Sequence, residues 1–127
     1  MLIDSHVHVG PWEYFNGLDK VMTNFSEIVA ALVDRGFYGA VLMPSEVKEN
    51  DELLLEIKKY RDSGGTFKIW FFPWLNPKKQ LDRVFLEQNT SEIDGVKFHP
   101  SLDKLPLTLG THGSFLELCK ENSWPVI

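Results

Sequence analysis

The chain alternates between short apolar runs with the character of β-strands and amphipathic runs with helical periodicity. The strand-like runs cover residues 2–9, 40–43, 67–74 and 96–99, and a fifth begins at Pro125. The run from Ala40 to Met43 is apolar without alternation, which is typical of a parallel strand covered on both faces. The regular repeat of strand and helix predicts an α/β fold with right-handed crossovers.

Three helices are predicted between these strands by their apolar spacing, at residues 25–35, 51–62 and 79–88. Asn24 and Glu27 are placed as a capping pair for the first helix, and Gly36 is placed to end it. Gly64 and Gly65 end the second. No linker or change of composition divides the chain, so residues 1–127 are predicted to form one domain.

The fourth helix is predicted to open at Ser114, because Glu117 follows three residues later as in a capping box. Residues 101–113 before it are expected to form a long loop, and His112 within that loop is expected to be exposed to solvent. Cys119 falls on the apolar side of this helix, where a buried thiol is the expected state.

Composition narrows the class of partner. The formal net charge is -5 and the pI is near 5.3, which argues against nucleic acid or an anionic membrane and favours a small-molecule substrate. The N-terminus has no basic and apolar leader, and no apolar run is long enough to span a membrane. The expected location is therefore cytoplasmic.

The sharpest chemical motif is Asp4-Ser5-His6-Val7-His8 in the first strand. Because residues two apart in a strand point to the same face, Asp4, His6 and His8 are expected to project together. Two imidazoles at this spacing can bind one divalent ion, and nitrogen ligands favour Zn²⁺.

In the fourth strand, Lys97 and His99 are also expected to share a face, and Pro100 is expected to end the strand.

The segments Leu2 to Gly10 and Asp94 to Pro100 resemble strands one and four of the amidohydrolase superfamily, in particular the amidohydrolase-2 type of metal-dependent hydrolase. This resemblance implies that the chain is the N-terminal half of a (β/α)₈ TIM barrel, with four βα units and the start of strand five. It implies that His6 and His8 are metal ligands, with Asp4 as a supporting group. Lys97 and His99 are interpreted either as catalytic or substrate-contacting residues in the same cavity or as members of a structural pairing, and the resemblance makes Lys97 a candidate for carboxylation.

The expected reaction is attack of metal-activated water on a C–O or C–N bond. Two alternatives stay open: a metal-dependent decarboxylase of the same superfamily, and a non-catalytic half-barrel that binds a metal or a partner. In the family, further metal ligands and an aspartate come from strands five to eight, which lie beyond Ile127. A half-barrel also leaves sheet edges unpaired, so association with a second copy or with a complementary half-barrel is expected.

Aromatic residues supply weaker candidates. Trp70 to Trp74 form an unusually aromatic third strand, for which core packing and a substrate-facing Trp74 are the two interpretations. Trp12, Glu13, Tyr14 and Phe15 follow the first strand and are expected to cover the metal or to cap the mouth of the barrel.

Overall fold

A computed structural model of the protein describes residues 1–12, 22–45 and 48–127. These residues form two compact units, Met1–Phe71 and Phe72–Ile127. Glu13, Tyr14 and Phe15 lie outside the described residues. No helix within the described ranges is long and apolar enough to cross a membrane.

The first unit is a four-stranded mixed sheet with two helices. In chain order its elements are β1 (Ile3–Pro11), β2 (Met22–Thr23), α1 (Phe25–Asp34), β3 (Gly39–Pro44), α2 (Asn50–Asp62) and β4 (Lys68–Phe71). The sheet order is β2-β1-β3-β4, in which β1, β3 and β4 are parallel and the short β2 is antiparallel to β1. The predicted parallel α/β core is therefore present, and β2 is an addition that no apolar run indicated.

The predicted C-terminal ends of α1 and α2 are correct. After α1 and after α2, two successive backbone N–H groups donate back to carbonyls of the last turn. Gly36 and Gly64 stand at the position that needs a left-handed backbone, with φ of 77° and 84°. At the start of α1, Asn24 is the N-cap residue, but its side chain donates to Glu27 Oε2 at 3.2 Å and makes no capping bond to the backbone.

The third predicted strand, residues 67–74, is too long. Strand β4 ends at Phe71, and Trp74 rejoins a neighbouring segment only through an isolated bridge to Lys97. Pro73 lies between them and has no N–H to donate, so a continuous ladder cannot pass through it. Phe71 and Phe72 are buried, in keeping with packing as the main role of this aromatic run, while Trp70 and Trp74 are half-buried.

The second unit contains α3 (Gln80–Gln88), a 3₁₀ turn (Thr90–Glu92), α4 (Pro100–Asp103) and α5 (Leu109–Glu121). The predicted fourth strand, residues 96–99, is reduced to two parallel bridges, Trp74 with Lys97 and Val96 with Val126. His99 is not a strand residue but the N-cap of α4, because Pro100 favours the first turn of a helix. The expected strand near Pro125 is present as the bridge at Val126.

The prediction of a helix opening at Ser114 is wrong. Helix α5 begins at Leu109 with Thr108 as N-cap: the Thr108 side chain accepts from the Thr111 N–H, and the Thr111 side chain accepts from the Thr108 N–H. A threonine in the third helical position replaces the Glu or Gln of the usual capping box, which is why the pattern was missed. The predicted loop therefore contains α4 and the first turn of α5.

His112 is fully buried, contrary to the prediction of an exposed side chain. It lies in the first turns of α5, where its ring makes an edge contact with Phe98 at a centroid distance of 4.9 Å. Phe115 and Cys119 continue the same buried side of the helix. Cys119 is buried in the core, as predicted, and this burial raises the pKa of its thiol.

Candidate functional site

The two histidines of β1 lie side by side. Their Nε2 atoms are 3.1 Å apart, and their ring centroids are 5.0 Å apart with an angle of 55° between the ring planes. His6 is exposed and His8 is half-buried, so both are accessible to a ligand. The predicted convergence of the His6 and His8 side chains is therefore present in the first unit.

His8 is held by the neighbouring strand. Its Nδ1 atom lies 3.0 Å from the carbonyl oxygen of Pro44, the last residue of β3. A carbonyl oxygen can only accept, so Nδ1 carries the proton and Nε2 of the neutral ring is an acceptor, which here faces His6 Nε2. The ring of Trp12 also contacts His8 edge-on at a centroid distance of 5.2 Å. Such a bond to a backbone carbonyl is how metal-binding histidines are commonly oriented.

Asp4 contacts the histidine pair through the backbone. Its Oδ1 atom accepts a hydrogen bond from the N–H of His6 at 3.1 Å. The pairing of β1 with β3 slips by one residue between Asp4 and Val7, which is a β-bulge. Because the bulge interrupts strict alternation, the shared face that the sequence predicted for Asp4, His6 and His8 is not continuous along the strand.

The spacing of the histidine pair is that of a hydrogen bond, and it is also compatible with a shared metal ion. The two Nε2 atoms are hydrogen-bonded at 3.1 Å, and two nitrogens that bind one zinc ion at about 2.0–2.1 Å lie roughly 2.9–3.4 Å apart. No cluster of three or more His, Cys, Asp or Glu side chains suited to a metal occurs within residues 1–12, 22–45 and 48–127. These residues could therefore provide two ligands, with the other positions open.

Lys97 and Trp74 lie opposite each other in the second unit. The Lys97 N–H donates to Pro73 O at 2.9 Å, and the Leu75 N–H donates to Lys97 O at 2.8 Å, which places Trp74 directly across from Lys97. The lysine is half-buried, and burial lowers the pKa of its ammonium group. No acceptor for its Nζ occurs within the described part of the chain.

His99 is fixed on two sides. Its ring stacks on Trp74 with a centroid distance of 5.3 Å and an angle of 25°. Its Nδ1 lies 3.0 Å from Ser101 Oγ and accepts from the Leu102 N–H at 3.4 Å. A backbone N–H can only donate, so Nδ1 is the acceptor and Nε2 carries the proton. His99 therefore presents an N–H donor rather than a lone pair at Nε2.

The structure thus brings together His6 with His8 in one unit, and in the other it places Trp74 next to both Lys97 and His99. That all four predicted residues face one cavity stays a prediction. Sequence reasoning missed Pro44, because a backbone carbonyl has no side-chain signature, and it missed the part that Ser101 and Leu102 play in orienting His99. The Pro100 that follows His99 was the available sign of a helix start there.

Comparison with known proteins gives one informative likeness. No protein-family model matches the chain, and no curated protein matches it either. One solved structure similar to it is that of a probable 2-pyrone-4,6-dicarboxylic acid hydrolase from Acinetobacter baumannii with citric acid bound. The TM-score is 0.64 and the identity 18%, over 98% of this chain and 48% of that one. The chain spans about half the length of that protein and shares its α/β fold.

Proposed function

We propose that this chain is the N-terminal half of a TIM-barrel hydrolase of the amidohydrolase type, and that His6 and His8 bind one divalent ion, preferably Zn²⁺. The single observation that carries the metal assignment is the Nε2 separation of 3.1 Å, together with the bond from His8 Nδ1 to Pro44. The fold of the similar hydrolase supports the barrel architecture. Imidazole nitrogens are ligands that zinc favours.

In this proposal each residue has a separate task. The Pro44 carbonyl keeps the Nδ1 proton on His8, so that its Nε2, which faces His6 Nε2, is the atom that can bind the ion. Asp4 fixes the backbone at His6. A bound zinc ion supplies Lewis-acid chemistry for hydrolysis of a C–O or C–N bond. Lys97 and His99 are proposed to contact the substrate, because both present hydrogen-bond donors on one face.

Calorimetric titration of zinc into chelator-stripped protein tests the metal assignment. We expect one zinc per chain, with modest affinity because only two ligands come from the described residues. The variant with both His6→Ala and His8→Ala should lose the binding heat. His99→Gln serves as the matched control, because it removes a histidine outside the pair and should leave zinc binding intact. Equal heats for the wild type and the double variant would refute the assignment.

The half-barrel also predicts association through its open sheet edge. Residues 3–9 of β1 pair with β3 on one side, and on the other side β2 reaches only Gly10 and Pro11. Within the described residues, the second edge of β1 therefore has no strand over most of its length, and Leu2 and Ile3 are exposed beside it. We propose that a second copy of the chain, or a complementary half-barrel, pairs there. Light scattering on the purified chain should show a species larger than a monomer.

A further inference from the structure

A small cavity lies between the C-terminal parts of α3 and α5 in the second unit. Its volume is about 170 Å³, close to the roughly 150 Å³ of a protein cavity that holds one benzene molecule. Leu86 is buried, whereas Glu87 and Asn122 are exposed, so the cavity has an apolar floor and a polar rim. The residues that line it are Leu86, Glu87, Thr90, Leu118, Asn122 and Trp124.

The turn that ends α5 fixes the position of Trp124. The Ser123 N–H donates to Lys120 O at 3.2 Å, and the Trp124 N–H donates to Cys119 O at 2.8 Å. These two bonds form a Schellman motif, in which Ser123 has the left-handed backbone with φ of 56°. In such a motif the residue at the Trp124 position commonly packs on the last turns of the helix, and Leu118 of those turns lines the same cavity. The indole is therefore a fixed wall of the cavity.

The rim of the cavity presents hydrogen-bond acceptors. Glu87 lies in the last turn of α3 and Asn122 is the C-cap of α5, so the partially negative ends of two helices meet here. Glu87 Oε1 pairs with Arg83 Nε at 3.0 Å on the exposed surface, and Glu87 Oε2 has no partner within the described residues. Asn122 Nδ2 donates to Leu118 O at 2.9 Å, which leaves Asn122 Oδ1 as an acceptor. Acceptors above an apolar floor favour a ligand that has a cationic donor and a hydrocarbon body.

We propose that this cavity binds a small organic amine in its ammonium form. The hydrocarbon body packs against Leu86, Leu118 and the Trp124 ring, and the ammonium group donates to Glu87 and Asn122 at the rim. The positive charge is also attracted to the helix ends and to the face of the indole. This inference goes beyond the proposed hydrolase function, because it uses neither the histidine pair nor Lys97 and His99.

The probe is benzylammonium, with benzyl alcohol as a neutral ligand of similar shape. Each is titrated into the full chain at neutral pH and constant ionic strength, while the indole N–H resonance of Trp124 and the amide resonances of residues 86–90 and 118–124 are followed. Benzylammonium should produce a saturable shift, and benzyl alcohol should bind at least about tenfold more weakly, because hydrogen bonds to charged groups are the stronger ones. No saturable shift with benzylammonium, or equal binding of the two ligands, would overturn the proposal.

A charge deletion tests the part of Glu87. Glu87→Gln keeps the shape of the side chain and should weaken benzylammonium binding by about threefold or more, a moderate loss because the carboxylate is exposed. Glu117→Gln is the matched control, since it removes the same charge from an exposed position of α5 that does not line the cavity. Unchanged affinity in Glu87→Gln, or an equal loss in Glu117→Gln, would contradict the proposal.

Two substitutions test the part of Trp124. Trp124→Leu keeps an apolar wall but removes the aromatic face, and should weaken benzylammonium binding by about fivefold or more. Trp124→Phe keeps an aromatic face and should retain most of the affinity, which excludes loss of structure as the cause. Equal affinities of the two variants would show that the cation does not contact the ring, contrary to the proposal.

The variant with both His6→Ala and His8→Ala separates this proposal from the proposed function. It should bind benzylammonium as the wild type does, because neither histidine lines the cavity. Benzylammonium binding without zinc binding in the wild type would refute the metal assignment alone. Zinc binding without benzylammonium binding would refute the amine site alone.

Discussion

The carbonyl oxygen of Pro44 and the Nδ1 atom of His8 lie 3.0 Å apart, so the end of one parallel strand orients the imidazole of the next. Val9 pairs directly with Pro44 in the ladder, and the Ser45 N–H donates to Val9 O at 2.8 Å. These contacts hold the two strand ends in register directly after the histidine. The tautomer of His8 is therefore set by the fold of the first unit.

Gly10 is the residue that lets these strand ends approach. A Cβ atom at this position would lie 2.5 Å from Ser45 Oγ and 2.7 Å from Lys48 Cβ, and the backbone has φ of 127°. Gly10→Ala is expected to lower the free energy of unfolding by about 2 kcal/mol or more, because it adds both a clash and backbone strain. It should also weaken zinc binding by displacing His8. Urea unfolding and calorimetry measure the two effects.

The matched control is Gly113→Ala in α5. This glycine has open space around its Cβ position and an ordinary helical φ. The substitution should stabilise the chain by about 0.5–1 kcal/mol, because alanine has the higher helix propensity. If Gly10→Ala were as stable as the wild type, the close approach of Ser45 and Lys48 to Gly10 would not require a glycine.

Apolar periodicity predicted the order of β1, α1, β3, α2, β4 and α3, but it did not indicate the short β2 and α4. The sequence also placed Gly36 and Gly64 at helix ends, where few other residues fit the left-handed backbone. It could not locate the bulge between Asp4 and Val7, because a bulge depends on the register with β3 rather than on the residues of β1. The exposed state predicted for His112 failed because the start of α5 was placed too late.

The start of α5 can be tested by paired substitutions. Thr108→Ala removes the side chain that accepts from the Thr111 N–H, and should lower the free energy of unfolding by about 1 kcal/mol. Ser114 lies exposed within the helix, so Ser114→Ala should be neutral or slightly stabilising. If Ser114→Ala lowered the free energy of unfolding more than Thr108→Ala, Ser114 rather than Thr108 would be the N-cap residue. Thermal or urea unfolding of both variants provides the comparison.

Lys97 should make stability depend on pH in a defined direction. Burial lowers the pKa of the folded-state ammonium group below 10.5, so between the two pKa values the unfolded chain binds more protons. Stability should therefore rise as the pH rises through the lowered pKa toward 10.5. Lys97→Met removes the buried charge and should be the more stable protein at pH ~7, with an advantage that shrinks at higher pH.

Unfolding of the wild type and Lys97→Met at several pH values between neutral and alkaline measures this difference. Lys120→Met provides the matched charge deletion at an exposed position. If the stability advantage of Lys97→Met over the wild type grew with pH, folding would not lower the pKa of Lys97.

Only part of the candidate site could be predicted from the sequence. The His-x-His spacing predicted the pair of His6 and His8 because it needs only the residues of one strand. Lys97 and His99 were predicted to share a strand face, but His99 is the N-cap of α4. The contacts that fix each ring come from elsewhere in the chain: Pro44 for His8, and Trp74 with Leu102 for His99. Such contacts depend on strand order and on a short helix, neither of which a single sequence specifies.

Long-range ¹H–¹⁵N spectra of the histidine rings during a zinc titration test the metal assignment most directly. The chain has four histidines, so each ring can be assigned by substitution. The Nε2 signals of His6 and His8 should move together to one endpoint at one zinc per chain, with the Nδ1 proton of His8 retained. His99 and His112 should stay unchanged. Separate saturation of His6 and His8, or zinc-dependent shifts at His99 or His112 instead, would contradict a shared ion on β1.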